Sequence, residues 1–347
     1  MNAEVQNIID RLADGDDLSI NEWIKIIGED YDTTYLFDRA DGIRRKYYGT
    51  DVYIRGLIEI SNYCKNNCLY CGIRRDNESV ERYRLSDEEI LECASSGYEL
   101  GFRTFVLQGG EDGAFSTKRV ESIVSSIKEK YSDCAVTLSL GEREYEDYKM
   151  WFDAGADRYL LRHETANREH YYILHPKEMS YENRKRCLYD LKKIGFQVGC
   201  GFMVGSPFQE VECLAEDMMF IREFKPDMIG IGPFISHAAT PFSDCENGTL
   251  DLTLKMLALL RLTCQKALIP ATTALGTIHP AGREMGLKVG ANVVMPNLSP
   301  VGVREKYSLY DNKICTNEEA AECIRCLERR VEGAGYKIVV SKGDSKV

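Results

Sequence analysis

The 347-residue chain contains no run of roughly 18 or more uncharged apolar residues, so nothing in it reads as a membrane-spanning helix. Positive charge is in short supply: 44 Lys and Arg stand against 55 Asp and Glu, a formal net charge of −11 with a sequence pI near 5.2. A non-specific binder of a phosphate backbone carries the opposite balance, so nucleic acid is not an expected partner. Met1–Asp17 lacks the charged-then-apolar order of a secretory signal. It carries five acidic residues and reads as a polar helix, which predicts a cytoplasmic protein. No sequence repeat with a period of roughly 20–50 residues and no low-complexity tract stands out. With 44% hydrophobic and 29% charged residues, the composition is that of a globular chain.

Cysteine, by contrast, is plentiful. Thirteen thiols is an odd count in a large acidic chain, and in a reducing compartment such thiols serve as small core residues, metal ligands or nucleophiles rather than disulfides. Cys93, Cys187, Cys213 and Cys264 fall inside helix-like apolar stripes and are expected to fill the core.

Residues 1–50 read as helical, with amphipathic pieces over 21–27 and 33–45, and form an N-terminal cap. From Val52 onward, β-rich runs alternate with helical patterns, the signature of repeated βα units around a parallel sheet. Strands are predicted over 52–60, 104–107, 135–140, 158–162, 197–204, 228–234, 268–274 and 291–295. The helices between them have recognisable starts, such as the capping box Ser86-Asp87-Glu88-Glu89. The α/β order predicts a full (βα)8 barrel over 51–310, with a C-terminal helical extension at 311–347 whose last residues, 341–347, read as a frayed tail.

In that fold the chemistry gathers where strands end and loops begin. After the first strand stand Cys64, Cys68 and Cys71; after the second, Gln108, Gly109 and Gly110; at the end of the third, Ser139. Arg162, His163 and Glu164 follow the fourth, and Thr272 and Thr273 lie at the end of the seventh. Three thiols within eight residues suit zinc or an iron–sulfur cluster. A structural zinc wants four protein ligands, and no fourth Cys or His lies close by. That favours a cubane with one iron left open, where a substrate can chelate.

The pattern Cys64-x3-Cys68-x2-Cys71, with the aromatic Tyr70 before the last cysteine, resembles the signature of the radical S-adenosylmethionine (SAM) enzymes. The resemblance implies a [4Fe-4S] cluster on those three cysteines. The open iron takes the amino and carboxylate groups of SAM, and an electron from the reduced cluster cleaves it to a 5′-deoxyadenosyl radical. It implies a SAM site as well. Gln108, Gly109 and Gly110 resemble the glycine-rich segment that receives the amino group, while Thr137 and Ser139 alternate inward on the third strand. Glu164 would face the sulfonium and ribose, Arg184 the carboxylate, and Tyr307 and Leu309 the adenine. Without the resemblance, the glycine pair is an ordinary turn, and Glu164 with Arg184 is a surface ion pair of small energetic weight.

A closer likeness lies in the stretches 158–167, 230–235, 270–274 and 292–297, which resemble those of the FeFe-hydrogenase maturase HydE family, grouped with biotin synthase and methylornithine synthase. It covers most of the chain from about residue 40 to 326. That family assembles the diiron subcluster of the hydrogenase H-cluster from an iron compound with carbonyl, cyanide and cysteine ligands. The likeness implies partner maturases and a reducing electron donor. An anionic organometallic substrate needs fixed donors deep in the barrel, and Arg162, Thr272 and Thr273 are the candidates. The plainer reading of these three is an Arg paired with a barrel acid and two strand-forming threonines. His163 reads as a satisfied structural donor. Alternatives are a methylornithine synthase-like mutase, a biotin synthase-like enzyme, or a non-catalytic iron–sulfur scaffold.

A second group, Cys315-x7-Cys323-x2-Cys326, resembles the accessory-cluster pattern of some maturases, which implies a [2Fe-2S] or [4Fe-4S] cluster. Zinc or unliganded thiols are the alternatives. Cys323 and Cys326 share a helix face. If the helix capped by Thr316 and Glu319 starts at once, Cys315 stands ~12 Å from Cys323 along its axis, too far for one cluster unless the chain folds back.

Overall fold

The computed structural model describes residues 2–316 and 320–347, and the side chains of residues 320–323 lie outside that description. Three helices open the chain: Ala3–Asp14, Ile20–Gly28 and Thr34–Tyr48. The first buries Val5, Ile8, Ile9 and Leu12, one face of a helix, and the Asn2 side chain caps it by accepting from the Glu4 and Val5 amides. The second starts at a capping box between Ser19 and Glu22. These helices pack on the outer helices Val211–Phe224 and Leu250–Thr263.

The central sheet has six parallel strands in chain order: Gly56–Ser61, Thr104–Gly109, Ala135–Ser139, Arg158–Leu160, Gln197–Cys200 and Met228–Ile229. Helices cover its outer side, including Asp87–Glu99, Thr117–Lys130, Tyr145–Asp153 and Tyr181–Ile194. Single parallel bridges continue the arrangement, Met228 to Leu268, Pro270 to Val293 and Asn297 to Leu57. Asp51–Ile54 pairs separately with Val293–Val294 and Lys337–Val339.

Four expected strands are broken. The first is interrupted at Arg55, between Asp51–Ile54 and Gly56–Ser61. The fifth and sixth part where Gly201 meets Gly230 backbone to backbone; a Cβ on Gly201 would land on the Gly230 carbonyl. Residues 268–274 form no strand beyond two single bridges. Pro270 has no N–H to donate to a ladder, and Thr273 already opens the helix Thr273–Ile278.

The C-terminal tail is not frayed. The Arg158 guanidinium, fully buried, donates to the Lys342 carbonyl at 2.9 Å and the Asp344 carboxylate at 2.6 Å. The Thr104 hydroxyl donates to Lys342 at 2.9 Å, and the Gln197 amide to Asp344 at 3.2 Å. Thr104, Arg158 and Gln197 each begin a strand, so the tail lies across the floor of the sheet. A buried guanidinium needs an acceptor, and here a distant segment supplies it.

Cys93, Cys187 and Cys213 are buried, and Cys264 is partly buried against the core. No helix among the described residues is long and apolar enough to cross a membrane.

Candidate active site

The three-cysteine loop leaves Gly56–Ser61, a strand buried along its whole length. Its backbone is bonded to distant segments. The Lys65 amide donates to the Glu111 carbonyl at 3.0 Å, Leu69 to Leu174 at 3.0 Å, and Gly72 to Leu309 at 2.9 Å. Within the loop, Arg75 bonds the Asn66 carbonyl at 2.8 Å. The Arg82 guanidinium reaches back to the carbonyls of Ile73 (2.9 Å), Arg74 (2.6 Å) and Asn77 (3.1 Å), gathering the turn around one cation. Sequence reasoning missed Arg82.

Cys64, Cys68 and Cys71 are each partly buried; Cys68 feels the charge of both other thiols and Cys71 that of Cys64. Burial raises the Cys64 thiol, lifts Cys68 well above its ordinary value, and pushes Cys71 up to about 12. The bare thiols hold their protons at neutral pH, so ligation must displace them. Among the described residues no group of His, Cys, Asp and Glu is drawn tightly enough for a single metal ion, as sulfurs ~2.3 Å from one zinc would be. Cys64, Cys68 and Cys71 would instead each hold a separate iron of a cluster.

The Gly109–Gly110 turn abuts this loop. The Gly110 amide donates to the Ser61 carbonyl at 3.1 Å, and a Cβ on Gly110 would stand on the Tyr63 carbonyl and crowd Cys64. Gln108 is in register with Glu59 on one side and Ser139 on the other, which lines up three polar side chains across neighbouring strands. The Gln108 amide donates to the Tyr307 hydroxyl at 3.3 Å. Glu59, absent from the expected set, is buried and bonded to Lys313 at 2.6 Å and Asn297 at 2.8 Å. Burial raises its pKa against the pull of Lys313. Asp112 was also missed: it accepts from Ser61 at 2.7 Å and from two nitrogens of Arg84 at 2.6 and 3.0 Å.

Glu164 and Arg184 do not form the surface pair of the plainer reading; each has another partner. Arg184 lies 2.7 Å from Glu142, and Glu164 lies 3.2 Å from Arg162. The helix Tyr181–Ile194 leans toward the loop after the third strand of the sheet, where the Glu142 amide is held by the Glu111 carboxylate at 3.0 Å. Burial works against the Arg184 charge, yet Glu142, Tyr171 and Glu111 push its pKa well above the ordinary value. Glu164 has a left-handed backbone, φ +67°, with its amide donating to the Gly201 carbonyl at 3.0 Å. His163 behind it is buried with both ring nitrogens occupied, Nε2 by Asp217 at 3.1 Å and Nδ1 by the Gly201 amide at 3.2 Å.

Thr137 Oγ1, Thr272 Oγ1 and Arg162 Nε are among the buried polar atoms of the described residues that have no hydrogen-bond partner. Thr137 borders a small cavity on the inner side of the sheet with Arg55, Val106 and Met228. Thr272 lies against Gly232, where a Cβ would come within 2.8 Å of its hydroxyl, and Thr273 begins a helix. Buried polar atoms left unpaired are what a polar ligand would satisfy. With the thiol loop and the glycine cradle, they fit a SAM-bearing cluster site.

In the second group, the Arg283 guanidinium donates to the Cys315 sulfur at 3.0 Å, and Cys315 has φ +62°. Cys326 lies partly buried on the helix Ala320–Gly333. The Cys323 side chain and the expected helix start between Thr316 and Glu319 lie outside the described residues.

A family profile described as the Radical SAM superfamily matches residues 58–221. The [FeFe] hydrogenase maturase subunit HydE of Thermotoga maritima is 50% identical over 305 residues, covering 87% of this chain and 86% of that protein. The 3-methylornithine synthase of Methanosarcina acetivorans is 29% identical over 87% of this chain and 84% of its own length. The crystal structure of a methylornithine synthase, PylB, matches with a TM-score of 0.84 at 27% identity, covering 96% of this chain and 97% of that one. The chain belongs to the radical SAM superfamily and, within it, to the HydE family. It is a radical SAM enzyme, and its cofactors are a [4Fe-4S] cluster and SAM.

Proposed function

We propose that this enzyme acts in maturation of the [FeFe] hydrogenase, working on a small organometallic precursor of the diiron subcluster alongside partner maturases and a reducing electron donor. The observation that carries the reading is the pairing of a three-thiol loop at the strand ends with two buried hydroxyls that lack partners, those of Thr137 and Thr272. We read the single bridges as closing the sheet into an eight-staved (βα)8 barrel over 51–310, capped by 1–50 and extended by 311–347.

When bound, the cluster and SAM supply reductive cleavage to a 5′-deoxyadenosyl radical. Cys64, Cys68 and Cys71 hold three irons. The Gly109–Gly110 backbone leaves room for the ammonium of SAM, as the space a Cβ on Gly110 would fill implies. Arg184 supplies a fixed cation for the carboxylate, shared with Glu142, and Glu164 an acceptor for the ribose. Gln108 with Tyr307, and Leu309 through its bond to Gly72, draw the late segment over the adenine. Thr137 and Ser139 line the third strand of the sheet beneath it. Arg162, Thr272 and Thr273 receive the anionic substrate. Enclosure by the barrel excludes water from a reactive intermediate. Cys315, Cys323 and Cys326 hold an accessory [2Fe-2S] or [4Fe-4S] cluster.

The test has two arms. Reduced, reconstituted protein is expected to convert SAM to 5′-deoxyadenosine, and to restore hydrogenase activation to an extract lacking it. Turnover without activation, with lysine converted to methylornithine, would replace this reading by the mutase. Iron binding without SAM cleavage would leave only a scaffold.

A further inference from the structure

His175 is a buried side chain to which the scheme above gives no role. It follows the helix Arg168–Leu174, and only 1% of its surface is exposed. Nδ1 lies 2.9 Å from the Tyr171 carbonyl oxygen, which only accepts, so the proton sits on Nδ1. Nε2 keeps its lone pair and lies 3.2 Å from the Tyr70 hydroxyl, which therefore donates to it. The imidazole stacks on Tyr171 at 4.0 Å and meets Tyr70 edge-on at 5.4 Å, so packing fixes the ring as well as its hydrogen bonds.

Two neighbours of His175 reach the same turn. The Leu174 carbonyl accepts from the Leu69 amide at 3.0 Å, and the Met179 sulfur lies 3.7 Å from the Cys68 sulfur. Contacts from residues 174, 175 and 179 thus fall on 69, 70 and 68 in turn. The segment is anchored on its far side: the helix Tyr181–Ile194 begins at Ser180, whose hydroxyl accepts from the Asn183 amide. We propose that Leu174–Met179 is a latch on the Cys68–Cys71 turn, and that His175 is its positioning residue, fixing Tyr70 and through it the spacing of Cys68 and Cys71. This rests on the reading of those thiols as cluster ligands. A turn carrying two of three sulfurs needs its middle residues held if the triangle is to keep its shape; Leu69 packs on the apolar cluster around Leu174, and Tyr70 is the one side chain between the sulfurs that a hydrogen bond can fix in direction.

The experiment compares His175→Leu, His175→Gln and Tyr70→Phe, and the double variant His175→Leu/Tyr70→Phe, with the full chain. In the cluster-free protein, mass-resolved alkylation of Cys68 is expected to quicken about fivefold in His175→Leu and in Tyr70→Phe, as loss of one buried hydrogen bond permits. Cys93, remote from the latch, serves as the internal control. The double variant is expected to match the singles, because both remove one interaction. His175→Gln, whose amide oxygen can still accept from Tyr70, is expected to return the rate toward wild type. In reconstituted protein, His175→Leu and Tyr70→Phe should give the same altered electron-paramagnetic-resonance spectrum of the reduced cluster. Additive effects, or unchanged alkylation and spectra in both singles, would overturn the latch. Wild-type protein that takes up no iron would overturn the ligand reading instead, and the alkylation arm would still decide the latch.

Discussion

Cys64, Cys68 and Cys71 leave the end of a fully buried strand, and backbone groups of Glu111, Leu174 and Leu309 bond the loop that carries them. Cys315 and Cys326 stand beyond the strands of the central sheet, the first on a residue of positive φ contacted by Arg283, the second on a separate helix. Both groups have three thiols in a short span. In the first, the backbone between the thiols is bonded at Lys65 and Leu69 to segments that follow other strands. A cysteine count nominates a site, whereas the scaffolding of the residues between them decides how stiffly it is held.

The sharpest way to break this comparison is to delete thiols. Alanine at Cys64, Cys68 or Cys71 is expected to reduce 5′-deoxyadenosine formation at least about 10³-fold, some 4 kcal/mol of lost barrier lowering. Alanine at Cys315 or Cys326 should leave it within about threefold. Equal losses at Cys326 would show that the two regions share one site.

Glycine replacement probes the scaffolds. Gly110→Ala drives a methyl into the Tyr63 carbonyl and should cost about 1–3 kcal/mol of stability in urea titration, with loss of iron uptake. Gly333→Ala, at the end of the helix bearing Cys326, meets nothing within 4 Å and should be neutral or stabilising by up to about 1 kcal/mol.

Acid gives a third contrast. Burial, with Arg184 adding to it, holds the His175 pKa down to about 3. The unfolded chain therefore binds this proton first: the stability due to neutral His175 is complete above about pH 6.5 and is lost as pH falls toward 3. The slope is at most about 1.4 kcal/mol per pH unit, and subtracting the His175→Gln profile from wild type should expose it. Residues 311–347 contain no histidine, so hydrogen exchange should show the first cysteine loop loosening before the C-terminal helix does. The smallest effect is expected at the floor. Asp344→Ala leaves the buried Arg158 guanidinium with neutral partners alone, Thr104, Gln197 and the carbonyls of Lys342 and Gly343, and should cost about 1 kcal/mol, with SAM cleavage unchanged.

Much of this was legible along the chain. The helix Tyr181–Ile194 follows its apolar period residue for residue, the capping box at Ser86 marks the start of Asp87–Glu99, and the cysteine spacing names its chemistry within eight residues. The charged pairs were not. Glu164 and Arg184 suit each other by sign, but Glu142 is the acid that meets Arg184. Strand continuity misled where glycines bring two backbones together at Gly201 and Gly230, since β-rich composition says nothing of such an approach.

Local order settles whatever depends on neighbours in the chain: helical periods, caps, turns that only glycine permits, and the spacing of three thiols within eight residues. Partnerships across the fold follow a different logic. Glu59 finds Lys313 254 residues away, and Arg158 finds Asp344 186 residues away. A buried charge takes whichever opposite charge the packed backbone brings within reach, and that depends on how sheet, helices and tail assemble, which no local pattern records.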